Sequence, residues 1–213
     1  MNEFGLLDYL MVIGAVALSW GLYYATLPPP GDGKEPTPAA LRAASLGLVG
    51  WADTMVPPEG TAGGLEAMLP RIAAANGYRD ITPFIEGARL AYETIVTAYA
   101  QGEIAAEAYL LSPVVRRAFE EAIAARKARG ETMEMLFIGI RTCEIIDAGL
   151  TDKLAWIDVR FVGEMVSSIR DGEGKVVAGD PGRVEEVPEI WSFERQLGAA
   201  GPNWLLVATE AEA

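Results

Sequence analysis

The chain has no histidine, one cysteine, and only 17 basic residues against 30 acidic ones in 213. Each shortage excludes something. Without histidine, the commonest general base and the commonest metal ligand are both gone. The single cysteine, Cys143, cannot close an internal disulfide, which suits a reducing compartment. It stands in an apolar, strand-like run and reads as a packing thiol, not a nucleophile. A formal net charge of −13 and a pI near 4.5 deny the chain the basic footprint that a phosphate backbone requires. The same acidity disfavours adhesion to anionic lipid through charge. Any membrane contact is therefore expected to be hydrophobic, and neither a cofactor nor a metal is expected.

What is present is apolar. Hydrophobic residues make up 51% of the chain, enough for a core, and the length suits one globular domain plus extras. From Tyr9 and Leu10 to Leu27 runs an uncharged, mostly apolar stretch that contains Trp20, Tyr23 and Tyr24 near its far end. As a helix it would span about 28 Å, close to the hydrocarbon thickness of a bilayer. The aromatic cluster sits where an interfacial belt belongs, and Pro28-Pro29-Pro30 ends the segment. A cleaved signal peptide would need a basic leading region, and Glu3 and Asp8 stand there instead. A retained transmembrane anchor is the expectation. Lys34 and Arg42 follow it and no basic residue precedes it, which places the rest of the chain on the cytoplasmic side of the membrane.

The organisation that follows is an anchor over 1–27, a proline-rich linker with a short helix over 28–62, and a folded domain over 63–213. Leu41, Ala44, Leu48, Trp51 and Met55 fall at helical spacing in the linker region. Leu65, Met68, Leu69 and Ile72 form one face of a second short helix, interrupted on paper by Pro70. Both are expected to lie against the domain surface. Thr82-Pro83 reads as a cap and first turn. It opens a helix to Gln101 whose inward face is Phe84, Ala88, Tyr92, Ile95 and Tyr99. Glu103 to Leu110 reads as a shorter helix, and Ser112-Pro113 opens a third that ends at Gly130. The third helix carries Arg116, Arg117, Glu120, Glu121, Arg126, Lys127 and Arg129, expected as a solvated face.

Beyond Gly130 the apolar period changes from helical to two. Strands are expected over 134–147, 154–169, 184–195 and 204–209, broken by Asp-Gly-Glu-Gly at 171–174 and Gly-Asp-Pro-Gly at 179–182. Helices followed by antiparallel strands make an α+β plan. A curved sheet closed by helices is a cone whose apolar interior either holds a ligand or is filled by its own side chains. The acidic hairpin of Asp171, Glu173 and Asp180 lacks the spacing of a twelve-residue calcium loop and reads as a solvated turn.

Several short stretches, in order, carry a resemblance from about Ile81 to Glu210. They are Glu86-Gly87-Ala88-Arg89, Leu111-Ser112-Pro113, Arg160-Phe161-Val162, Arg170-Asp171-Gly172-Glu173-Gly174, Glu185-Glu186-Val187, Ile190-Trp191 and Asn203-Trp204-Leu205-Leu206-Val207-Ala208. Together they resemble the C-terminal domain of the Tim44-like family. The resemblance implies a nuclear-transport-factor-2-like cone, inner-membrane association and lipid binding. Bacterial members also carry an N-terminal membrane segment. The mitochondrial members recruit a chaperone motor through a long charged region, and this chain has only a short proline-rich linker in that place.

Candidate pocket or partner-binding residues are Tyr92, Tyr99, Trp156, Phe161, Met165, Trp191, Phe193 and Trp204, since aromatics are favoured binding anchors. Core packing is the competing explanation for each. Cone folds that act as isomerases use a carboxylate base with a tyrosine donor. Here Asp158 would be that base and Tyr92 or Tyr99 the donor. Asp158 alternates with Ile157 and Val159, so it is expected at the solvated surface, and no catalytic residue is assigned. The expected role is a non-catalytic module at the inner membrane that binds lipid or a protein partner. An accessory subunit of a larger membrane complex comes next, and a small-molecule isomerase or hydrolase last.

Overall fold

The computed structural model describes residues 64–199 and 204–212. Helix α1 (Gly64–Ala75) and helix α2 (Thr82–Gln101) come first, then a 3₁₀ helix (Ile104–Leu110) and helix α3 (Pro113–Ala128). Four strands follow: β1 (Thr132–Leu150), β2 (Leu154–Arg170), β3 (Val176–Gln196) and β4 (Leu205–Ala211). They form one antiparallel sheet in the order β1-β2-β3-β4. The α+β expectation holds, with the helices on one face of a curved sheet. The anchor expected over Tyr9–Leu27 lies outside the described residues. Among the described residues no helix is long and apolar enough to cross a membrane.

Helix α1 runs through Pro70 without a break. Proline removes one donor from the helix, but Pro70 is exposed while Met68, Ile72 and Ala73 on the other side are buried in the main core. That burial makes α1 part of the domain, where a surface helix was expected. The first turn of α2 also differs from expectation. The position before the helix is Ile81, with no side-chain cap, and it is Asp80 Oδ1 that accepts the Thr82 amide at 2.9 Å. At the other end Gly102 adopts φ 75° and its amide reaches back to the last carbonyls, a left-handed stop that glycine takes without a Cβ clash. The following segment winds as a 3₁₀ helix, not an α-helix.

Ser112 does what the sequence suggested: its Oγ accepts the Val115 amide at 3.3 Å, and Pro113 occupies the first turn. Ser112→Ala should cost about 1 kcal/mol by denaturant unfolding, the usual loss for an N-cap. Arg116–Glu120 and Arg117–Glu121 pair along the exposed side of α3 at 3.6 and 2.9 Å. Exposed pairs of this kind contribute little. Arg126 breaks the expected pattern. It is buried at 4% exposure, because α3 turns that position inward against the end of α2 and the start of β1.

The sheet departs from expectation at 179–182. Gly-Asp-Pro-Gly does not separate two strands, for β3 runs from Val176 to Gln196. Instead the ladder steps from Met165↔Glu185 to Ser167↔Asp180, so residues 181–184 bulge out of a continuous strand. The 171–174 turn is present as expected, with Asp171 Oδ1 accepting the amides of Glu173 and Lys175. Three irregularities in β1, at 137/139, 140/142 and 145/147, bend the strand around the helices, as extra residues in one strand do.

Candidate functional site

Strand alternation fixes which side chains enter the concave face. On β2 these are Ala155, Ile157, Val159, Phe161, Gly163, Met165, Ser167 and Ile169. The β3 partners of the first six run from Arg195 to Glu185 by twos, and beyond the register step Ser167 and Ile169 face Asp180 and Ala178. Helix α2 lies across this face and sends Tyr92 to its middle. The Tyr92 ring stacks on Phe161 with centroids 4.6 Å apart and leans on Trp191 at 4.7 Å. Phe84 closes one end against Phe193 at 5.8 Å and Trp204 at 4.8 Å. Tyr99 packs on Phe119 at 5.4 Å near the other end.

Of the eight aromatic and methionine candidates, Tyr92, Phe161, Trp191 and Phe193 therefore form one inner cluster, with Trp204 half-buried beside it. Tyr99 belongs to the same core at the α3 end. Met165 lies in a second, smaller cluster with Val187, Met133, Met135 and Phe137. Trp156 stands apart. Its register with Gly149 and Glu194 puts it on the convex face, and its indole lies so close over Gly149 that a Cβ there would meet it at 1.8 Å.

Asp158 also faces the convex side, as the alternation required, but it is not solvated: its exposure is 3%. β2 is an interior strand, and Asp158 is flanked along its own face by the bulkier Trp156 and Arg160 and across the ladders by Asp147 and Ser192. Being on the opposite face from Tyr92, it cannot act with that residue as an acid–base pair.

The carboxylate that does meet Tyr92 is Glu189, which sequence reasoning missed. The Tyr92 hydroxyl donates to Glu189 Oε2 at 2.9 Å. Glu189 is opposite Phe161 in the ladder and 2% exposed. Burial pushes its carboxyl up to about 7, against the smaller opposing pulls of the Tyr92 hydroxyl and the Trp191 indole. The room for this contact comes from Gly163. A Cβ there would lie 2.5 Å from the Tyr92 hydroxyl oxygen. A signal for Glu189 does exist in the sequence. It sits two residues from Val187 and two from Trp191, in phase with the apolar face of β3.

Cys143 is half-buried on the inner face of β1, and burial pushes its thiol up despite the nearby Arg89. That is the wrong direction for a reactive cysteine. Among the described residues no three His, Cys, Asp or Glu side chains gather as a metal ion would need.

The sheet's outer surface is held by ion pairs across strands: Arg170–Glu134 at 2.9 Å, Arg160–Glu212 at 2.6 Å, and Arg141 with Glu186 and Glu164. Next to them on edge strand β1, Leu136 and Ile138 are exposed at 62% and 51%. A solvent-facing sheet edge of this kind is a pairing or docking surface unless something blunts it. The bulges of β1 do so in part.

No curated protein sequence matches the chain. The crystal structure of the intermembrane space region of the chloroplast protein ARC6 is similar to it, at 12% identity and a TM-score of 0.38, over 59% of this chain and 96% of that one. The model of the Tim44-like domain matches residues 66–211, more than half of the sequence, with the whole sheet and all of the helices except the first two residues of α1. The chain belongs to the Tim44-like family.

Proposed function

We propose that this protein is a non-catalytic tethering module of the bacterial inner membrane. The apolar segment Tyr9–Leu27 holds it in the bilayer, and the cone, on the cytoplasmic side, binds lipid or a protein partner. Family membership supports the membrane-associated, binding character. The observation that carries the non-catalytic part is the state of the inner acid pair. Glu189 and Tyr92 satisfy each other in a packed aromatic core where both are 2% exposed or less. A general acid or base must reach the proton it transfers, and this one is sealed.

An accessory-subunit role is a second reading, favoured by the exposed Leu136 and Ile138 on an edge strand. The test is to express the full chain, and a version lacking residues 1–27, in a bacterial host. Membranes would then be washed with carbonate, and proteins cross-linked to the cone identified. The full chain should stay in the washed membrane and the shortened one should not. Equal release of both would remove the anchor reading. A stoichiometric cross-linked protein lost on Leu136→Asp/Ile138→Asp favours the subunit reading over lipid tethering.

A further inference from the structure

Edge strand β1 carries a row of outward side chains whose order is set by its bulges. Glu134 and Leu136 oppose Ser168 and Val166 of β2 on the convex face. Further along, Ile138 and Gly139 together oppose Glu164, and Arg141 and Thr142 together oppose Val162. Each is a bulge with two residues against one. Plain alternation would turn Arg141 inward. The bulges instead send it to the convex face, where it pairs with Glu164 and Glu186, themselves opposite each other in the β2–β3 ladder. The resulting row is Glu134, Leu136, Ile138 and Arg141, all exposed. Its apolar middle is widened by Val166, half-buried opposite Leu136, and by Val184, exposed in the β3 bulge that faces Val166.

An apolar middle between charged ends is the anatomy of a protein interface. The order of the charges says which protein. An anion stands at one end and a cation at the other, so a partner of one charge sign would meet a like charge at one of them. A second copy, turned by half a revolution about the middle of the row, meets opposite charge at both. Glu134 then faces the partner's Arg141, Arg141 faces the partner's Glu134, and Leu136 meets the partner's Ile138. That is the isologous match of a two-fold interface. Centring the axis between Arg141 and Glu144 would also pair opposite charges, but it would put them innermost and leave Leu136 outside.

Two further terms decide the strength. A net charge of −13 opposes the encounter of two copies, and a screening length of about 8 Å at physiological salt confines that repulsion. The intrachain pairs of Glu134 with Arg170 and of Arg141 with Glu186 are exposed and contribute little by themselves, so a contact across the axis extends them at small cost. A patch of this size gives a weak dimer in solution. Holding both copies in one membrane raises their effective concentration.

We propose that the chain forms a two-fold homodimer through this row of β1. The proposal rests on the reading of the β1 edge as a partner surface and names the partner as a second copy. The test uses full chains carrying donor or acceptor fluorescent proteins at the C-terminus, mixed in phosphatidylcholine vesicles at physiological salt. Energy transfer should rise with the protein-to-lipid ratio. Leu136→Asp/Ile138→Asp should move the midpoint of that rise upward by about tenfold or more. Glu134→Arg and Arg141→Glu should each move it upward by about threefold, although they change the net charge in opposite directions. Glu134→Arg/Arg141→Glu in one chain should bring the midpoint back towards the wild type. The double change re-forms the pairs across the axis with signs exchanged, while within the chain it sets like charges against Arg170 and Glu186, so the rescue has no intrachain explanation. Transfer that ignores the aspartate pair assigns association to the anchor and overturns the proposal. So does a double charge variant no better than the worse single one. The charge series decides alone if the aspartate pair does not fold. Should no self-association occur while another protein still cross-links to this edge, the homodimer falls and the accessory-subunit reading stands.

Discussion

Replacing Glu189 by glutamine should flatten the dependence of stability on pH between about 4.5 and 7. The carboxyl has an ordinary value of 4.5 and rises to about 7 in the folded chain. A raised carboxyl means that the folded state binds its proton more tightly than the unfolded state. Over that window the native protein carries more protons, so stability falls as pH rises. The contribution is fully present below about 4.5 and is gone above about 7, where Glu189 is charged in both states. At 1.36 kcal/mol per unit, the drop is on the order of 3 kcal/mol. Glutamine keeps an oxygen for the Tyr92 hydroxyl and cannot ionise. Chemical denaturation at pH 4.5, 6 and 8 should show the wild type losing stability across the series and Glu189→Gln holding level. At pH 8 the variant should be at least as stable as the wild type. A wild type that is level over the same range would mean that water or relaxation accommodates the charge.

The same residue shows where sequence reading stops. The apolar rows of α2 and of β2 and β3 were legible, and so were the Ser112-Pro113 start of α3 and the four-strand plan. All of these follow from local period and cap chemistry. Glu189 was in phase with Val187, Trp191 and Phe193, yet a carboxylate is almost never fully buried unless paired. Its partner Tyr92 is remote in sequence, so nothing local marks the pairing. Asp158 failed for the opposite reason. Alternation gave its face correctly, but not the burial imposed by Trp156, Arg160 and the neighbouring strands. The step at 181–184 was hidden too. Gly-Asp-Pro-Gly reads as a stop, whereas the chain uses it as a bulge and keeps pairing with β2 on either side.

Arg126 is the other residue whose loss should be felt strongly, and for it the choice of substitute decides the size. Its guanidinium donates to the Tyr99 carbonyl at 2.9 Å, to the Ala100 carbonyl at 3.0 Å and to the Met133 sulfur at 3.0 Å. It also lies 5.3 Å from the centre of the Tyr99 ring. These contacts tie α3 to the last turn of α2 and to the start of β1. The α2 end supplies the Ala100 carbonyl, the Tyr99 carbonyl (which also accepts the Gly102 amide) and the negative end of the helix dipole, so a cation there is favourable despite its burial. Burial itself pulls the guanidinium down from its usual value, but an arginine stays charged in a protein. The cost of removal is that of the lost hydrogen bonds to the two carbonyls plus a cavity. Arg126→Ala should lose about 2–4 kcal/mol of unfolding free energy. Arg126→Met fills the space and loses only the hydrogen bonds to the carbonyls, so about half of that loss should return. Arg126→Lys keeps the charge but offers a point donor in place of a fork, and belongs between the two. The order of the three variants in denaturant midpoint, with Ala lowest, is the measurement. If Met were no better than Ala, the packing part of the argument would fail and the hydrogen bonds alone would account for the clamp.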